Sequence, residues 1–247
     1  MKHLKLRRQI IATAQRMNGL GINQGTSGNV SARTGDGLLI TPSAVPYDRL
    51  RPADLVEMGF DGTWHCANAD RRPSSEWRFH LDVLRARPEF AAVVHVHPIY
   101  ATALACQRRG IPSFHYMVAV AGGNSIRCAP YATFGTAALS RNALKALEGR
   151  SACLLANHGV IARGVNLDAA LALAVEVETL AAQYGQALQT GRPKILSDAE
   201  MKRVLIKFKS AHGYGSAPPA APKAAGARAA RPLARRGVRS ERRSRRR

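Results

Sequence analysis

The chain has 247 residues, 46% of them hydrophobic, and a formal net charge of +21. That is enough for one sizeable domain with a real core. It excludes a small disulfide scaffold, since Cys66, Cys106, Cys128 and Cys153 form no C-x-x-C pair. The charge invites a nucleic-acid reading, but Ala217 to Arg247 alone holds eleven Lys/Arg against one acid, Glu241, so nearly half the excess sits in a short Ala/Pro/Arg tail.

In chain order, Leu6, Ile10, Ile11, Ala14 and Met17 have helical spacing, with Gly19 and Gly21 as stops. The charged N-terminus has no uninterrupted apolar run behind it, so no signal peptide is expected, and no run of about 18 apolar residues suggests a membrane span. Asn23–Ser31 reads as a small-residue loop entering a short strand. Gly37–Thr41 reads as a strand ending at Pro42, with Asp36-Gly37 as a hairpin turn. A helical turn and a strand follow over Arg51–Met58, and Asp61-Gly62 is a turn. A helix starts at Ser74-Ser75-Glu76-Trp77, with either serine as N-cap, and runs to about Arg87 before Pro88.

The apolar run Ala91–Val94 leads into His95 and His97 and ends at Pro98; a helix through Tyr100–Arg108 comes next. Gly122-Gly123-Asn124 is a turn, Thr136–Leu147 a helix, and a second apolar run from Cys153 leads to His158. Gly159–Arg163 reads as the following strand. Leu167–Thr190 is the longest helical stretch, with Asp168 as N-cap and Gly191 as stop. A last helix opens at Ser197, where Ser197 and Glu200 are spaced as a capping box. The pattern predicts a single α/β (α+β) domain over residues 1–215, with a central, largely antiparallel sheet covered by helices on both faces. Residues 216–247 lack apolar periodicity and are expected to be a disordered basic tail. The cysteines predict reduced thiols in a cytoplasmic protein.

Alternate residues of a strand share a face, so His95 and His97 project side by side. His158 from a second segment would complete a three-nitrogen site with one open position, the usual arrangement of catalytic zinc. Nitrogen ligands alone leave Co²⁺, Mn²⁺ and Fe²⁺ open. His3, His65, His80, His115 and His212 have no comparable spacing. Glu76, viewed alone, is an acid in the first helical turn, favoured there by the dipole; beside a metal it becomes a general base or a displaceable fourth ligand. The loops Asn23–Ser31, Thr41–Ala44 and Ser74-Ser75 are each a turn or cap when taken singly, and together suit a phosphate. No dinucleotide or Walker pattern is present.

Four stretches then resemble the class II aldolase/adducin family. They are Asn23–Ser31, Pro73–His80, Val93–His97, and Ala121–Ile126 together with Cys128–Thr136. The likeness covers about residues 4–214. It implies a zinc-dependent aldolase, one Zn²⁺ per subunit, cleaving L-fuculose 1-phosphate or a related ketose 1-phosphate to dihydroxyacetone phosphate and L-lactaldehyde. Pentulose-phosphate 4-epimerase and methylthioribulose-phosphate dehydratase are the alternatives within the family. By the same resemblance His95, His97 and His158 hold zinc, with Glu76 as the acid/base that also approaches the metal. Gly28, Asn29, Ser43, Ala44, Ser74 and Ser75 match the phosphate pocket. Tyr116 matches a tyrosine that reaches a neighbouring subunit's site, Phe134 an aldehyde-side wall, and Tyr214 the catalytic tyrosine of the C-terminal segment. The family forms homotetramers with sites between subunits.

The chain departs from the pattern in three places. Asn157 stands where a histidine precedes the third ligand, Ala44 replaces a phosphate-loop glycine, and the segment before Tyr214 is two residues longer. A metal that stabilises an enediolate needs no Schiff-base lysine, and none stands out. An adducin-like binding role would lack the metal set, which His95, His97, His158 and Glu76 retain. Nucleic acid is not the expected partner, and the tail reads as a solvated basic segment.

Overall fold

The computed structural model describes residues 1–210; Tyr214 and the basic tail lie outside them. The chain runs through α1 (Leu4–Gly19), β1 (Asn29–Arg33), β2 (Gly37–Ile40), β3 (Val56–Gly59), β4 (Trp64–His65), α2 (Trp77–Ala86), β5 (Ala92–Val96) and α3 (Ile99–Cys106). It continues through β6 (Arg127–Ala129), α4 (Ala137–Ala146), β7 (Ala152–Leu155), β8 (Gly159–Gly164), α5 (Leu167–Gln189) and α6 (Asp198–Lys209). Short 3-10 segments occupy Pro52–Asp54 and Tyr116–Ala121.

The strands form one mixed sheet in the order β4-β3-β2-β1-β5-β8-β7-β6. Every pairing is antiparallel except β6 with β7. The period-two alternation sorts its side chains into two cores. Val94 and Val96 of β5 join Val30, Leu39, Val160 and Ala162 in a layer under α1, α3 and α5. Val93 joins Leu38, Ile40, Cys153 and Ile161 beneath α2 and α4, packed on Phe79, Leu84, Leu139 and Ala143. His95, two residues from Val93, therefore lies on the α2 side of the sheet.

Helix α5 buries Leu167, Ala170, Leu171, Ala174, Val177 and Ala181, the spacing of one helical face. Its alanines let the helix lie close on the sheet, where it packs against β8 and β5. It also steadies the chain after the histidine strand. The Glu178 carboxylate accepts the backbone N–H groups of Tyr100 (2.9 Å) and Ala101 (2.8 Å), capping α3 just beyond His97. A carboxylate at a helix N-terminus is favoured by both charge and hydrogen bonding. No helix among the described residues is long and apolar enough to cross a membrane.

Several boundaries differ from the sequence expectation. Helix α2 begins at Trp77, with Glu76 rather than a serine at its N-cap position and no side-chain cap bond. The Ser74 hydroxyl instead accepts the Glu76 N–H at 3.3 Å. Helix α5 is capped by Asn166, whose side chain accepts from Ala169 N at 2.8 Å; Asp168 sits in the first turn and pairs with Arg16. At α6, Ser197 accepts from Glu200 N (3.2 Å), but the Glu200 carboxylate turns to Arg203, so the reciprocal half of the box is not made. The strands β4 and β6 and the 3-10 segment at Tyr116 were not expected; each is too short to show a period.

Candidate active site

The cluster forms where three chain segments meet at one end of the sheet. Strand β5 delivers His95 and, one step past its end, His97. Asn29 of β1 is the register partner of His95. The turn between β7 and β8 carries His158, and the residue before α2 is Glu76. Two glycines make this approach possible. A Cβ on Gly28 would stand 2.5 Å from the His95 carbonyl oxygen, and one on Gly159 would stand 2.5 Å from Cδ2 of His97. Gly159 was not singled out in the sequence; its only signal there is its place after the third histidine.

The β7–β8 turn also explains Asn157. Its φ is +53, a left-handed conformation in which asparagine is enriched among non-glycine residues. Its N–H donates to the Ala105 carbonyl at 2.9 Å, tying the turn to the end of α3. The His158 ring is held in the cluster with asparagine at the preceding position.

One ligand atom from each of Glu76, His95, His97 and His158 lies within 4.8 Å of all the others. Nε2 of His95 is 2.8 Å from Nε2 of His97 and 3.0 Å from Glu76 Oε2, while Nε2 of His158 is 3.1 Å from Glu76 Oε1. Donors at about 2 Å from one tetrahedral ion stand about 3.3 Å apart, so the spacing suits a single cation. Nδ1 of His95 is 2.9 Å from the Val160 carbonyl, which can only accept. That ring nitrogen therefore carries a proton, which leaves Nε2 as the nitrogen turned toward the cluster. Glu76 Oε1 is buried without a hydrogen-bond partner. Crowded lone pairs and an unpartnered buried carboxylate oxygen are what a cation would satisfy, and the residues fit one.

Electrostatics agree. Burial raises the pKa of Glu76, but the neighbouring His95 and His158 outweigh it and hold the carboxyl well below its usual range. Burial first, then His95 and His158, pushes His97 down to about 3, leaving it neutral and able to ligate. Burial and His95 likewise push His80 down to about 3.

A cleft of about 420 Å³ opens beside the cluster. Its wall combines the hydroxyls of Thr26, Ser27, Ser43 and Ser75, the side chains of Tyr131, Ala132 and Phe134, and Glu76, His97 and His158. The polar loops are joined by a bridge between Pro42 and Pro73 and by Ser43 N–H to Arg72 O and Ser74 N–H to Thr41 O, both 3.1 Å. Of the anticipated phosphate residues, Ser43, Ala44 and Ser75 face the cleft. Asn29 and Ser74 are buried, with Asn29 engaging Glu76 and Ser74 the start of α2. Tyr116 is 43% exposed and is not part of this cleft wall. Phe134 is in the wall, and Tyr214 lies outside the described residues. His80, set aside in the sequence, proves fully buried behind Glu76.

Ala44 has a φ of +58, the conformation for which a glycine is suited and which costs an L-residue about 1–2 kcal/mol. Ala44→Gly is expected to stabilise the fold by about 0.5–1 kcal/mol, once the extra chain entropy of glycine is subtracted. A denaturant midpoint unchanged or lowered would show that the loop carries no such strain.

Comparison with known proteins accords with this geometry. Residues 8–184 match the family described as Class II Aldolase and Adducin N-terminal domain. A Rhodospirillum rubrum protein named 5-methylthioribulose-1-phosphate/5-deoxyribulose-1-phosphate aldolase is 57% identical over 207 residues, covering 84% of this chain and 92% of its own. An Escherichia coli L-fuculose phosphate aldolase is 50% identical over 211 residues, covering 85% and 97%. A solved L-fuculose 1-phosphate aldolase superposes with a TM-score of 0.80 at 39% identity, covering 83% of this chain and 97% of that one. The chain belongs to the class II aldolase and adducin family. It is an aldolase, a lyase of a metal-dependent class.

Proposed function

We propose that the enzyme cleaves a ketose 1-phosphate whose terminal carbon lacks a hydroxyl, releasing dihydroxyacetone phosphate and a short aldehyde. The observation that carries this reading is the mixed lining of one cleft, in which serine and threonine hydroxyls, the ligand donors and aromatic side chains come together. The substrates named for the relatives share that chemistry. Fuculose is a 6-deoxy sugar, and of the two ribulose phosphates one has C5 as a methyl and the other bears a thioether there.

In this reading Gly28, Ser43, Ala44 and Ser75 form the phosphate pocket, with buried Asn29 and Ser74 behind it and the N-terminus of α2 adding its dipole. His95, His97 and His158 hold one divalent ion per subunit, zinc being the choice that fits three imidazoles with an open position. When bound, that ion supplies Lewis acidity for charge developing on the substrate ketone. As the C3–C4 bond breaks, the C4 hydroxyl proton is relayed through Tyr116 from a neighbouring subunit, with Tyr214 assisting, to the Glu76 carboxylate, which hands it on to C3, and Phe134 covers the departing aldehyde. Exposed Tyr116, outside its own chain's cleft wall, supports a homotetramer with shared sites. Four free cysteines suit a cytoplasmic setting.

The test is dihydroxyacetone phosphate release from matched pairs. L-fuculose 1-phosphate is set against L-tagatose 1-phosphate, and 5-deoxyribulose or 5-methylthioribulose 1-phosphate against ribulose 1-phosphate. Each deoxy substrate is expected to win by about 10–100-fold in kcat/KM, the scale on which an apolar pocket rejects an added hydroxyl. No release from any of them, or preference for the hydroxylated partner, overturns the reading.

A further inference from the structure

His80 follows Glu76 by four residues and so lies one turn along α2, on the same face. It is fully buried, stacked on Phe79 at 4.7 Å. A buried imidazole has to place two ring nitrogens. Here Nδ1 lies 2.7 Å from the Ser31 hydroxyl, and Nε2 meets Oδ1 of Asn29. The other end of the Asn29 amide donates from Nδ2 to Glu76 Oε2 at 3.2 Å. Ser31 and Asn29 are two apart on β1 and share the sheet face that α2 covers. Four side chains from one strand and one helix thus form a single hydrogen-bonded row that ends on the carboxylate.

The direction of each bond in that row is forced. An ionised carboxylate only accepts, so Asn29 turns its NH₂ toward Glu76. Its oxygen then faces His80, and Nε2 of His80 carries the proton. Nδ1 of the neutral ring is left with a lone pair, so Ser31 donates to it. Flipping the amide would set its oxygen against the carboxylate, two acceptors with no proton between them. The row ends on Oε2, the oxygen 3.0 Å from His95, while Oε1 is left without a hydrogen-bond partner.

We infer that His80 is a positioning residue: through Asn29 it fixes the orientation of the Glu76 carboxylate, turning one oxygen inward to the row and leaving the other free for its chemistry. The inference rests on the proposed acid/base role of Glu76.

The test uses the full-length, metal-loaded enzyme with His80→Phe, His80→Gln, Ser31→Ala and Glu76→Gln variants, alongside spectra of the metal-free wild type. The phenylalanine variant keeps the ring's shape and removes both nitrogens. It is expected to bind one equivalent of metal and hold KM within about threefold, while kcat falls by about 10–100-fold, the usual cost of losing a partner that orients a site residue. Glutamine can again donate to Asn29 Oδ1 and should recover most of that loss, which a merely structural role would not require. Should the phenylalanine variant fail to fold, Ser31→Ala removes one neutral hydrogen bond and is expected to lower kcat about fivefold. Spectra of the ¹⁵N-histidine-labelled metal-free protein are expected to show His80 as the Nε2–H tautomer. An Nδ1–H tautomer, or kcat within twofold of wild type in folded, metal-loaded His80→Phe, overturns the inference. If Glu76→Gln is inactive while His80→Phe is unaffected, only the positioning role falls; if Glu76→Gln itself turns over normally, the role of Glu76 falls and this inference with it.

Discussion

A Glu76→Gln enzyme is expected to turn over about 10²–10⁴-fold more slowly than wild type, the span associated with a lost general acid–base group, while still carrying its metal. The substitution is nearly isosteric. A glutamine oxygen can keep the bond from Asn29 Nδ2, and its amide group would face the imidazole side. The three histidines are untouched; His95 stays anchored on the Val160 carbonyl. What is lost is a group that can carry a proton and hand it to carbon. Coupled detection of dihydroxyacetone phosphate together with metal analysis of the same sample checks both halves. Near-normal kcat with full metal would remove Glu76 from the chemistry.

Stripping the metal is expected to have an effect at least as large. Dialysis against a chelator should reduce cleavage by on the order of 10³-fold or more, since Lewis-acid stabilisation of several kcal/mol is withdrawn and each 1.36 kcal/mol is a factor of ten. His97 is pushed down to about 3 by burial and its neighbouring imidazoles, so it stays uncharged at neutral pH. One equivalent of Zn²⁺ should restore the rate, and Co²⁺ or Mn²⁺ returned in parallel ranks the metals the nitrogen set accepts. A metal-free protein that kept its rate would refute the role assigned to the three histidines.

The His95–His97 pair of the cluster was legible in the sequence because strand geometry is simple. An i, i+2 histidine pair after an apolar run has to share a face, and β5 bears this out. That His158 would meet them could be stated only as a completion, because it depends on β8 pairing with β5. The two-faced, mostly antiparallel sheet was likewise readable from alternating strands and amphipathic helices. His80 was not readable. A lone histidine in a helix looks like any polar residue on a helix face, and its meaning comes from Ser31 and Asn29, roughly fifty residues upstream. Asn29 was assigned to phosphate by resemblance, yet the structure shows its amide shared between His80 and Glu76. Asn157 and Ala44 stood out only as departures. Their left-handed backbone angles show what the positions demand, and asparagine meets that demand better than alanine does. The short strands β4 and β6 carry too few residues for any period to register.

Because the ligands come from the start of α2, the end of β5 and the β7–β8 turn, a bound cation acts as a cross-link. It staples together parts of the chain that lie far apart in the unfolded polymer, much as a disulfide would. The enzyme's thermal endurance should therefore track metal supply as well as core packing. A cell short of the ion would hold a less stable fold as well as a less active enzyme.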